Sequence, residues 1–538
     1  MTTAILSMLH EPADRNSATR TFRGEPVLRW TLDRLARCAR LDGWAVLCWE
    51  DQLDAVTPIA AAHDVAVLAK GPRRPVPELD RITAARRWAD GWRGGLMSTC
   101  DFDAGFYGPW VKELADRVGA VDVLLVPPSA GLVDAALLDA LINRAAAEPD
   151  HELIFSQAAP GLAGAVVKRP LLERLASARS HPGRLLHYMP DAPMLDPTSG
   201  RGCVPVPVAV ARTTCRFHLD TARQLDRVAA ATVSLNGQLV STAAEDLVSR
   251  VAAQGPTTTD MPREVVLELT TRRASSPVYW PGRHLPIDRA DVPPAVARRV
   301  LDQVGGREDV RLTIGGVGDP LLHPHVFDVI AAARAAGIAA VHVETDLLAA
   351  DAVDVARLAA CGVDVVSVML PALSAETYAA VMGVDAYARA LGNLKVFVTE
   401  RARLGAGLPL LVPTFVKCAG NLAEQDAWYD QWLRAVGSAV ISGPTDCGGQ
   451  IPSTAVADMS PPRRRPCARL ASRLVVLSDG TATTCEEDVT GRQSLGRIAD
   501  AAISEIWTNA HGRVRRAHAL EQWNTHPVCA GCKEWHRA

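Results

Sequence analysis

The chain has 538 residues, of which 48% are hydrophobic and 22% are charged, and its formal net charge at pH 7 is -3. This length allows about three domains of ordinary size, and the near-balanced charge gives no bulk attraction for nucleic acid. The first residues lack a basic segment followed by a sustained apolar run, and no later apolar stretch is long enough for a membrane span. Composition therefore predicts a cytoplasmic α/β protein with no membrane span and no nucleic-acid partner; the oligomeric state stays open.

Residues 1–215 alternate between buried-type strands and amphipathic helices. The segment 22–35 leads into a predicted amphipathic helix, strands are predicted at 44–49 and 121–126, and helical spacing returns at 132–139. This alternation is typical of parallel strands joined by crossover helices. It predicts a doubly wound α/β domain over residues 1–215, followed by a helical linker over 216–259.

The phrase FRGEPVLRWTLDRL at 22–35 resembles a motif of the sugar-nucleotide cytidylyltransferases, which follows their glycine-rich phosphate loop. Residues 11–20 contain no glycine, whereas a loop that wraps phosphates needs closely approaching backbone N–H groups. Ser129 falls within the segment where the family has a metal-binding aspartate, and serine binds Mg²⁺ poorly. The resemblance thus predicts a degenerate nucleotidyltransferase-like (GT-A-like) domain. Segments 93–95 and 101–103 are either part of a pocket or a turn and a solvated loop.

Residues 260–455 continue the alternation. Strands are predicted at 265–269, 310–314, 340–345, 363–370 and 409–416, with helices at 293–304, 353–360, 375–381 and 387–394. Sequential parallel strands with right-handed crossovers form a full or partial (β/α) barrel. Residues at the carboxyl ends of such strands line the cavity or serve as structural hydrogen-bonding groups; the candidates are Glu268, Thr345, Asp346 and Lys417.

The segment 261–283 resembles the first strand and loop of radical S-adenosylmethionine (radical SAM) enzymes. In that family a CxxxCxxC motif holds a 4Fe-4S cluster, but the three cysteine positions here are Arg273, Pro277 and Trp280. None of these side chains supplies the thiolate that such a cluster requires. The resemblance predicts a barrel that does not cleave S-adenosylmethionine. We also expect Arg273 to place its guanidinium near the vacated site, where it would attract an anion.

A second motif strengthens this resemblance. GGVGDPLLHP at 315–324 is similar to the family's GGxGEPLLHP segment, which contacts the amino group of the methionine. By that likeness Gly315, Gly316, Gly318 and Asp319 are candidates for a vestigial S-adenosylmethionine site. The residues alone give a weaker reading, because glycine after a strand commonly serves a tight turn.

Residues 456–538 carry the clearest chemical pattern of the chain. Cys467 precedes a strand at 474–477, an Asp-Gly turn follows, Cys485 ends the next strand, and the chain closes on Cys529 and Cys532. An Asp-Gly hairpin brings the first two cysteines together, and four thiolates are a metal-ligand set. They suit a 4Fe-4S cluster or Zn²⁺. Other possible contributors are Cys447, His511, His518, His526 and His536.

This C-terminal pattern resembles the SPASM domain, and family likeness favours the 4Fe-4S cluster over Zn²⁺. Across its length the chain is similar to spiro-SPASM proteins, which fuse a nucleotidyltransferase-like domain to a radical SAM barrel and a SPASM domain. Two functions follow from the resemblance. The first is a cluster-binding homologue that does not initiate radicals and binds a substrate, a peptide or protein partner or an active radical SAM enzyme, or passes electrons. The second is a nucleotidyl- or glycosyltransferase in which the C-terminal metal is structural.

Overall fold

The computed structural model describes residues 1–89, 91–193, 195–254 and 259–537, and the chain divides into two compact units, Met1–Thr257 and Thr258–Ala538. The strands of the first unit are β1 Thr2–Ser7, β2 Thr21–Phe22, β3 Glu25–Pro26, β4 Gly43–Cys48, β5 Ala66–Ala69, β6 Asp122–Leu125, β7 Leu153–Ser156, β8 Ala165–Lys168 and β9 Cys203–Val204. Its helices are α1 Val27–Leu35, α2 Leu53–Ala61, α3 Pro77–Arg87, α4 Gly108–Arg117, α5 Ala135–Ala147, α6 Arg169–Ala178, α7 Val208–Arg212, α8 Ala222–Ala231 and α9 Ala244–Ala253.

The first unit is built on a seven-stranded mixed sheet of order β5-β4-β1-β6-β8-β7-β9. Strands β5, β4, β1 and β6 are parallel, and β8 is antiparallel to both of its neighbours. Apolar clusters cover the two faces of the sheet, as expected for a doubly wound arrangement. Helices α8 and α9, from the segment predicted as a linker, pack in a further apolar cluster of this unit.

The second unit contains β10 Glu264–Leu267, β11 Arg311–Ile314, β12 Ala340–Thr345, β13 Val365–Met369, β14 Leu410–Val416, β15 Val440–Ser442, β16 Arg473–Val476, β17 Thr481–Thr483 and β18 Gly496–Arg497. Its helices are α10 Pro294–Val304, α11 Val326–Ala335, α12 Ala352–Ala360, α13 Ala375–Met382, α14 Tyr387–Arg403, α15 Gln425–Val436, α16 Ala468–Ser472, α17 Ile503–Thr508, α18 Ala510–Ala519 and α19 Pro527–Gly531.

These strands form one nine-stranded sheet of order β15-β14-β13-β12-β11-β10-β16-β17-β18. Strands β10 to β15 are parallel in chain order, which is the expected arrangement of a partial (β/α) barrel. The hairpin strand β16 pairs in parallel with β10, so the cysteine-bearing C-terminal segment extends the barrel sheet. On the outer face, valines and leucines of these strands pack against the helices in a large apolar cluster.

The predicted elements of this unit are largely observed. The strand at 340–345 has the predicted bounds, and the predicted strand at 409–416 begins one residue later. The helix predicted at 387–394 continues to Arg403. Phe397 and Val398 continue the apolar pattern of Leu394 and pack in the core cluster, so the prediction ended the helix at least one turn too early.

Glu264 joins three strands at the amino-terminal end of the sheet. Its Oε2 lies 2.9 Å from Arg473 Nη2 and 3.1 Å from Arg311 Nη2, and Thr313 donates to Oε1 at 2.6 Å. Burial by itself would raise the pKa of Glu264, but Arg473 and Arg311 outweigh it and hold the pKa at about 2. The carboxylate therefore stays ionised and links β10 to β11 and β16.

Replacing Glu264 by glutamine should loosen this part of the sheet. The change removes the carboxylate that Arg473 and Arg311 share, at a cost of about 3 kcal/mol, or about a hundredfold in an opening equilibrium. Hydrogen exchange of peptides covering β10, β11 and β16 should therefore accelerate about a hundredfold. The matched control is Glu400→Gln, which breaks the exposed Glu400–Arg403 pair and should leave exchange unchanged. Equal protection in wild type and Glu264→Gln would contradict the assignment.

Because the folded pKa of Glu264 lies below its ordinary value of 4.5, its stabilising effect has a defined pH window. The effect is complete above that ordinary value and is lost as the pH falls toward 2. The difference in exchange between wild type and Glu264→Gln should accordingly shrink as the protein is acidified.

Candidate functional site

The loop after β10 carries the three positions at which the radical SAM cysteines are expected, and two of their side chains bind one backbone carbonyl. Arg273 Nε donates to the carbonyl oxygen of Val317 at 3.3 Å, and Trp280 Nε1 donates to the same oxygen at 2.8 Å. Pro277, which lies between these two residues in the sequence, is buried. The loop is thus held against the glycine motif by hydrogen bonds from Arg273 and Trp280.

Arg273 is folded inward. Its side chain is 7% exposed, and Nη1 lies 3.3 Å from Oδ2 of Asp346, whose side chain is fully buried. Ser275 Oγ donates to the same carboxylate oxygen at 2.5 Å. The predicted inward position of the guanidinium is observed, and the anion beside it is a carboxylate of the protein itself.

Asp319 and Asp346 form a coupled acidic pair. Asp319 Oδ2 accepts hydrogen bonds from Thr345 Oγ1 at 2.8 Å and from the backbone N–H of Asp346 at 2.9 Å, and its Oδ1 accepts from Leu321 N–H at 2.9 Å. Burial, and then the Asp346 charge, raise the pKa of Asp319 to about 7. Burial would raise the pKa of Asp346 too, but the Arg273 charge and the hydrogen bonds from Asp319, Ser275 and the Leu348 N–H together outweigh burial and lower that pKa. Asp346 is therefore the member that ionises first, and Asp319 ionises at a higher pH.

The glycines between these residues allow close backbone approach. A Cβ on Gly318 would lie 2.3 Å from the carbonyl oxygen of Thr270, and Gly316 has φ +129° with the Glu268 side chain 3.0 Å from its Cβ position. Glu268 Oε2 accepts from Val317 N–H at 3.1 Å, while Oε1 pairs with Arg289 at 2.6 Å. These close contacts explain why the motif has glycine at these positions, whether or not a cofactor is bound.

The four cavity candidates differ in their surroundings. Glu268, Thr345 and Asp346 are buried and hydrogen-bonded inside the loop network. Lys417, at the carboxyl end of β14, lines a cavity of about 260 Å³. Other lining residues are Ile441, Asp446, Ala457, Lys533 and His536. Glu268, Thr345 and Asp346 therefore have the surroundings of structural hydrogen-bonding groups, whereas Lys417 lines a cavity.

The four predicted metal ligands lie on separate short elements of the C-terminal segment. Cys467 precedes α16, Cys485 follows β17, and Cys529 and Cys532 lie in and just after α19. Burial raises the pKa of Cys529 and of Cys532 to about 12, and the neighbouring Cys467 thiol adds to both shifts. The pKa of Cys485 is also raised by burial, with Cys467 again contributing. The thiols are therefore neighbours that keep their protons until a metal displaces them.

The donor chemistry of these residues fits a thiolate-bound metal group. The backbone N–H of Glu534 donates to Cys532 Sγ at 3.3 Å. Among the described ranges, no three Cys, His, Asp or Glu side chains are arranged to hold a single metal ion. One tetrahedral Zn²⁺ with bonds of about 2.3 Å draws four sulfurs to within about 4 Å of one another. In a 4Fe-4S cluster each thiolate binds a different iron, which lets the sulfurs stand farther apart.

The other possible contributors have separate surroundings. Cys447 is buried in an apolar cluster with Val317, Ile451 and Val489. His511 is fully buried beside Trp507, with a pKa lowered to about 3, chiefly by burial. His518 is buried with both ring nitrogens unpaired among the described residues, and Gln493 Nε2 donates to Nδ1 of His526 at 2.7 Å. His536 contacts the carbonyl oxygen of Lys533 at 3.0 Å.

A buried hydrogen-bonded chain in the first unit was missed by the sequence analysis. Ser129 Oγ lies 2.9 Å from His218 Nδ1, and His218 Nε2 lies 2.8 Å from Asp101 Oδ1. Asp101 also accepts from Gly161 N–H at 3.1 Å; burial would raise its pKa, but His218 outweighs burial and lowers it to about 2. All three residues of the chain are at least nine-tenths buried, so the segment 101–103 is not the solvated loop that one alternative predicted. Sequence gave no local signal, because His218 is 89 and 117 residues from its partners.

The segment where a phosphate loop is expected contains a buried acid. The Glu11 carboxylate accepts from the backbone N–H of Ser17 at 2.9 Å and from its hydroxyl group, and burial raises its pKa to about 7. A carboxyl group in this position offers no attraction for a triphosphate. Arg93, the basic residue of the candidate segment 93–95, pairs with Asp196 at 3.1 Å.

Comparison with known proteins gives one domain match and several distant likenesses. Residues 467–533 match SPASM, described as an iron-sulfur cluster-binding domain. An uncharacterized protein of Treponema pallidum (strain Nichols) is 25% identical over 316 residues, which cover 54% of this chain and 84% of that protein. Within the described residues, no helix combines the length and apolar character needed to cross a membrane.

Three solved structures are similar to parts of this chain at low identity. BtrN in complex with AdoMet and 2-DOIA is 14% identical, covering 51% of this chain and 93% of its own, with a TM-score of 0.36. Streptococcus suis SuiB bound to precursor peptide SuiA is 14% identical, covering 52% and 71%, with a TM-score of 0.40. A cytidylyltransferase from Leptospira borgpetersenii serovar Hardjo-bovis is 14% identical, covering 48% and 98%, with a TM-score of 0.33.

All four cysteines predicted as ligands fall inside the matched range, together with the Asp-Gly hairpin. The predicted SPASM resemblance is thereby confirmed. Residues 467–533 form a SPASM iron-sulfur cluster-binding domain attached to a parallel α/β sheet.

Proposed function

We propose that this protein is a degenerate radical SAM/SPASM homologue that binds a 4Fe-4S cluster through Cys467, Cys485, Cys529 and Cys532. It acts by binding a substrate or a peptide or protein partner, or by passing electrons, and it does not initiate radicals. The bound cluster would supply one-electron chemistry or rigidity to the C-terminal segment. The four cysteines supply the thiolates, and other residues of the chain position these cysteines and shape the neighbouring barrel.

The observation that carries this proposal is the ion pair between Arg273 and Asp346. A guanidinium at the first cysteine position is matched by a buried carboxylate 3.3 Å away, so the site has its own charge balance. Asp319, at the position of the family's glutamate, has both oxygens engaged by protein donors. These three donors occupy most of the four lone-pair sites of the carboxylate, which leaves at most one for an ammonium group of a cofactor.

The alternative, nucleotidyl or glycosyl transfer by the first unit, has less support. It requires phosphate and metal contacts at the carboxyl ends of β1 and β6. The residues there are the buried Glu11 carboxyl and the Ser129–His218 hydrogen bond. Magnesium-dependent release of pyrophosphate from a nucleoside triphosphate by the purified protein would favour this alternative instead.

Anaerobic reconstitution with iron and sulfide tests the metal centre. Wild type should gain about four irons and four sulfides per chain, with charge-transfer absorbance near ~400 nm from thiolate to iron. Cys529→Ala/Cys532→Ala should lose the centre because half of its thiolates are gone. Cys447→Ala is the matched control, since this buried cysteine lies in a separate apolar cluster, and it should bind as wild type does. One zinc per chain and no sulfide would contradict the 4Fe-4S assignment.

The reconstituted protein should not cleave S-adenosylmethionine. Incubated with S-adenosylmethionine and a strong reductant, wild type should yield no 5′-deoxyadenosine, because Arg273, Pro277 and Trp280 cannot ligate iron. Chromatography with mass detection is the measurement, and an active radical SAM enzyme serves as the positive control. Product formation that is lost in Cys529→Ala/Cys532→Ala would overturn the proposal.

Breaking the ion pair should destabilise the second unit. Arg273→Ala leaves the Asp346 carboxylate buried without its cation, which costs about 3–5 kcal/mol. The additional change Asp346→Asn should recover part of this loss, because it removes the uncompensated charge. Urea unfolding and hydrogen exchange of the segment 270–280 measure both variants. Equal stability of Arg273→Ala and wild type would show that the pair does not hold the loop.

A further inference from the structure

Strand β12 places an acidic residue on the inner face of the sheet. Val341 and Val343 belong to the outer apolar cluster, so His342 and Glu344 point to the opposite, inner face. β12 has three strands on one side and five on the other in the sheet order. Glu344 lies deep within the fold, with protein on all sides, but its side chain is exposed to solvent. Its carboxyl group therefore borders an open space inside the partial barrel, which we call the lumen.

Glu344 makes no hydrogen bond or ion pair within the described part of the chain, although two arginines lie near it. Arg473 is bonded to Glu264 and Glu486, and Arg273 is bonded to Asp346. The cations of the lumen are thus committed to other carboxylates. A carboxylate that faces solvent and has no protein partner can pair with a cation that a ligand supplies.

The backbone leaves room for this side chain. A Cβ at Gly315, on the neighbouring strand's end, would lie 2.5 Å from Glu344 Oε2. Any larger residue there would displace the carboxyl group. Gly315 therefore has a role in this barrel apart from any contact with S-adenosylmethionine.

Apart from the charged groups already named, Glu344 is near a neutral histidine–serine pair and one further acid, Glu486. His342 Nε2 lies 2.8 Å from Ser367 Oγ, and burial lowers the pKa of His342 to about 4, so the ring is uncharged. Glu486 uses Oε1 for Arg473, and its buried Oε2 has no partner among the described residues. The lumen thus offers carboxyl oxygens from two elements together with neutral acceptors.

We propose that the lumen binds a guanidinium group, such as an arginine side chain of a peptide, through the carboxylates of Glu344 and Glu486. A guanidinium carries five donors in one plane and matches carboxylate oxygens in pairs. The inference rests on the proposed function and adds the chemistry of the substrate or partner that the barrel would bind.

Calorimetric titration of the full, reconstituted chain tests the site with N-acetyl-L-arginine amide as the probe. N-acetyl-L-citrulline amide is the matched ligand control, because it has nearly the same shape and no charge. Wild type should bind the arginine compound at least tenfold more tightly. Glu344→Gln should abolish this preference, and Glu344→Asp should keep part of it. The control Glu376→Gln, at an exposed residue of α13, should bind as wild type does.

The pH dependence gives a second readout. The groups around Glu344 are Glu264 of β10, Arg473 of β16, Arg273 of the loop after β10, Glu486, and His342 of its own strand. Burial, then the charges of Glu486 and Glu264, raise the pKa of Glu344 to about 7. Arginine affinity should therefore rise about tenfold from about pH 6 to about pH 8, as this carboxyl ionises. Citrulline affinity should stay constant.

Equal binding of the arginine and citrulline compounds, or unchanged preference in Glu344→Gln, would overturn this inference. Circular dichroism of each variant separates loss of binding from loss of fold. A failure of this inference can be told apart from a failure of the proposed function, because the proposed function is tested by the cluster content and by 5′-deoxyadenosine formation.

Discussion

The ion pair between Arg273 and Asp346 is the constraint on which the barrel depends. Neither charge is stable alone in a site where both side chains are at least nine-tenths buried, so each requires the other. Asp346 in turn gives its backbone N–H to Asp319, whose Oδ1 binds the next turn of the glycine motif. The loop after β10 and the loops after β11 and β12 are thereby joined. Charge balance thus orders this end of the sheet.

A second constraint is the continuity of the sheet. Strand β16 belongs to the SPASM domain, and it pairs with β10 along four residues of each strand. The C-terminal domain is consequently part of the barrel wall. Arg473, its first residue, crosses to Glu264 on β10. A domain attached in this way cannot shift without disturbing the lumen.

Sequence reasoning found what depends on local pattern. Periodicity gave the strand at 340–345 with its observed bounds, and cysteine spacing around an Asp-Gly turn gave the SPASM domain. It missed contacts between distant residues, because Arg273 and Asp346 are 73 positions apart and His218 is 117 from Asp101. The inward-facing position of Glu344 had a visible signal: within 341–344, valine alternates with His342 and Glu344, which marks two unlike faces.

The lumen and the thiols are linked by adjacent residues. Cys485 is followed directly by Glu486, which binds Arg473, and Arg473 binds Glu264 at the start of β10. A metal that fixes Cys485 also limits where the Glu486 carboxylate can lie. Ligand binding by that carboxylate and metal binding by the cysteine therefore act on one short segment. Under the proposed function, a metal centre bound through Cys485 would therefore also order one wall of the lumen.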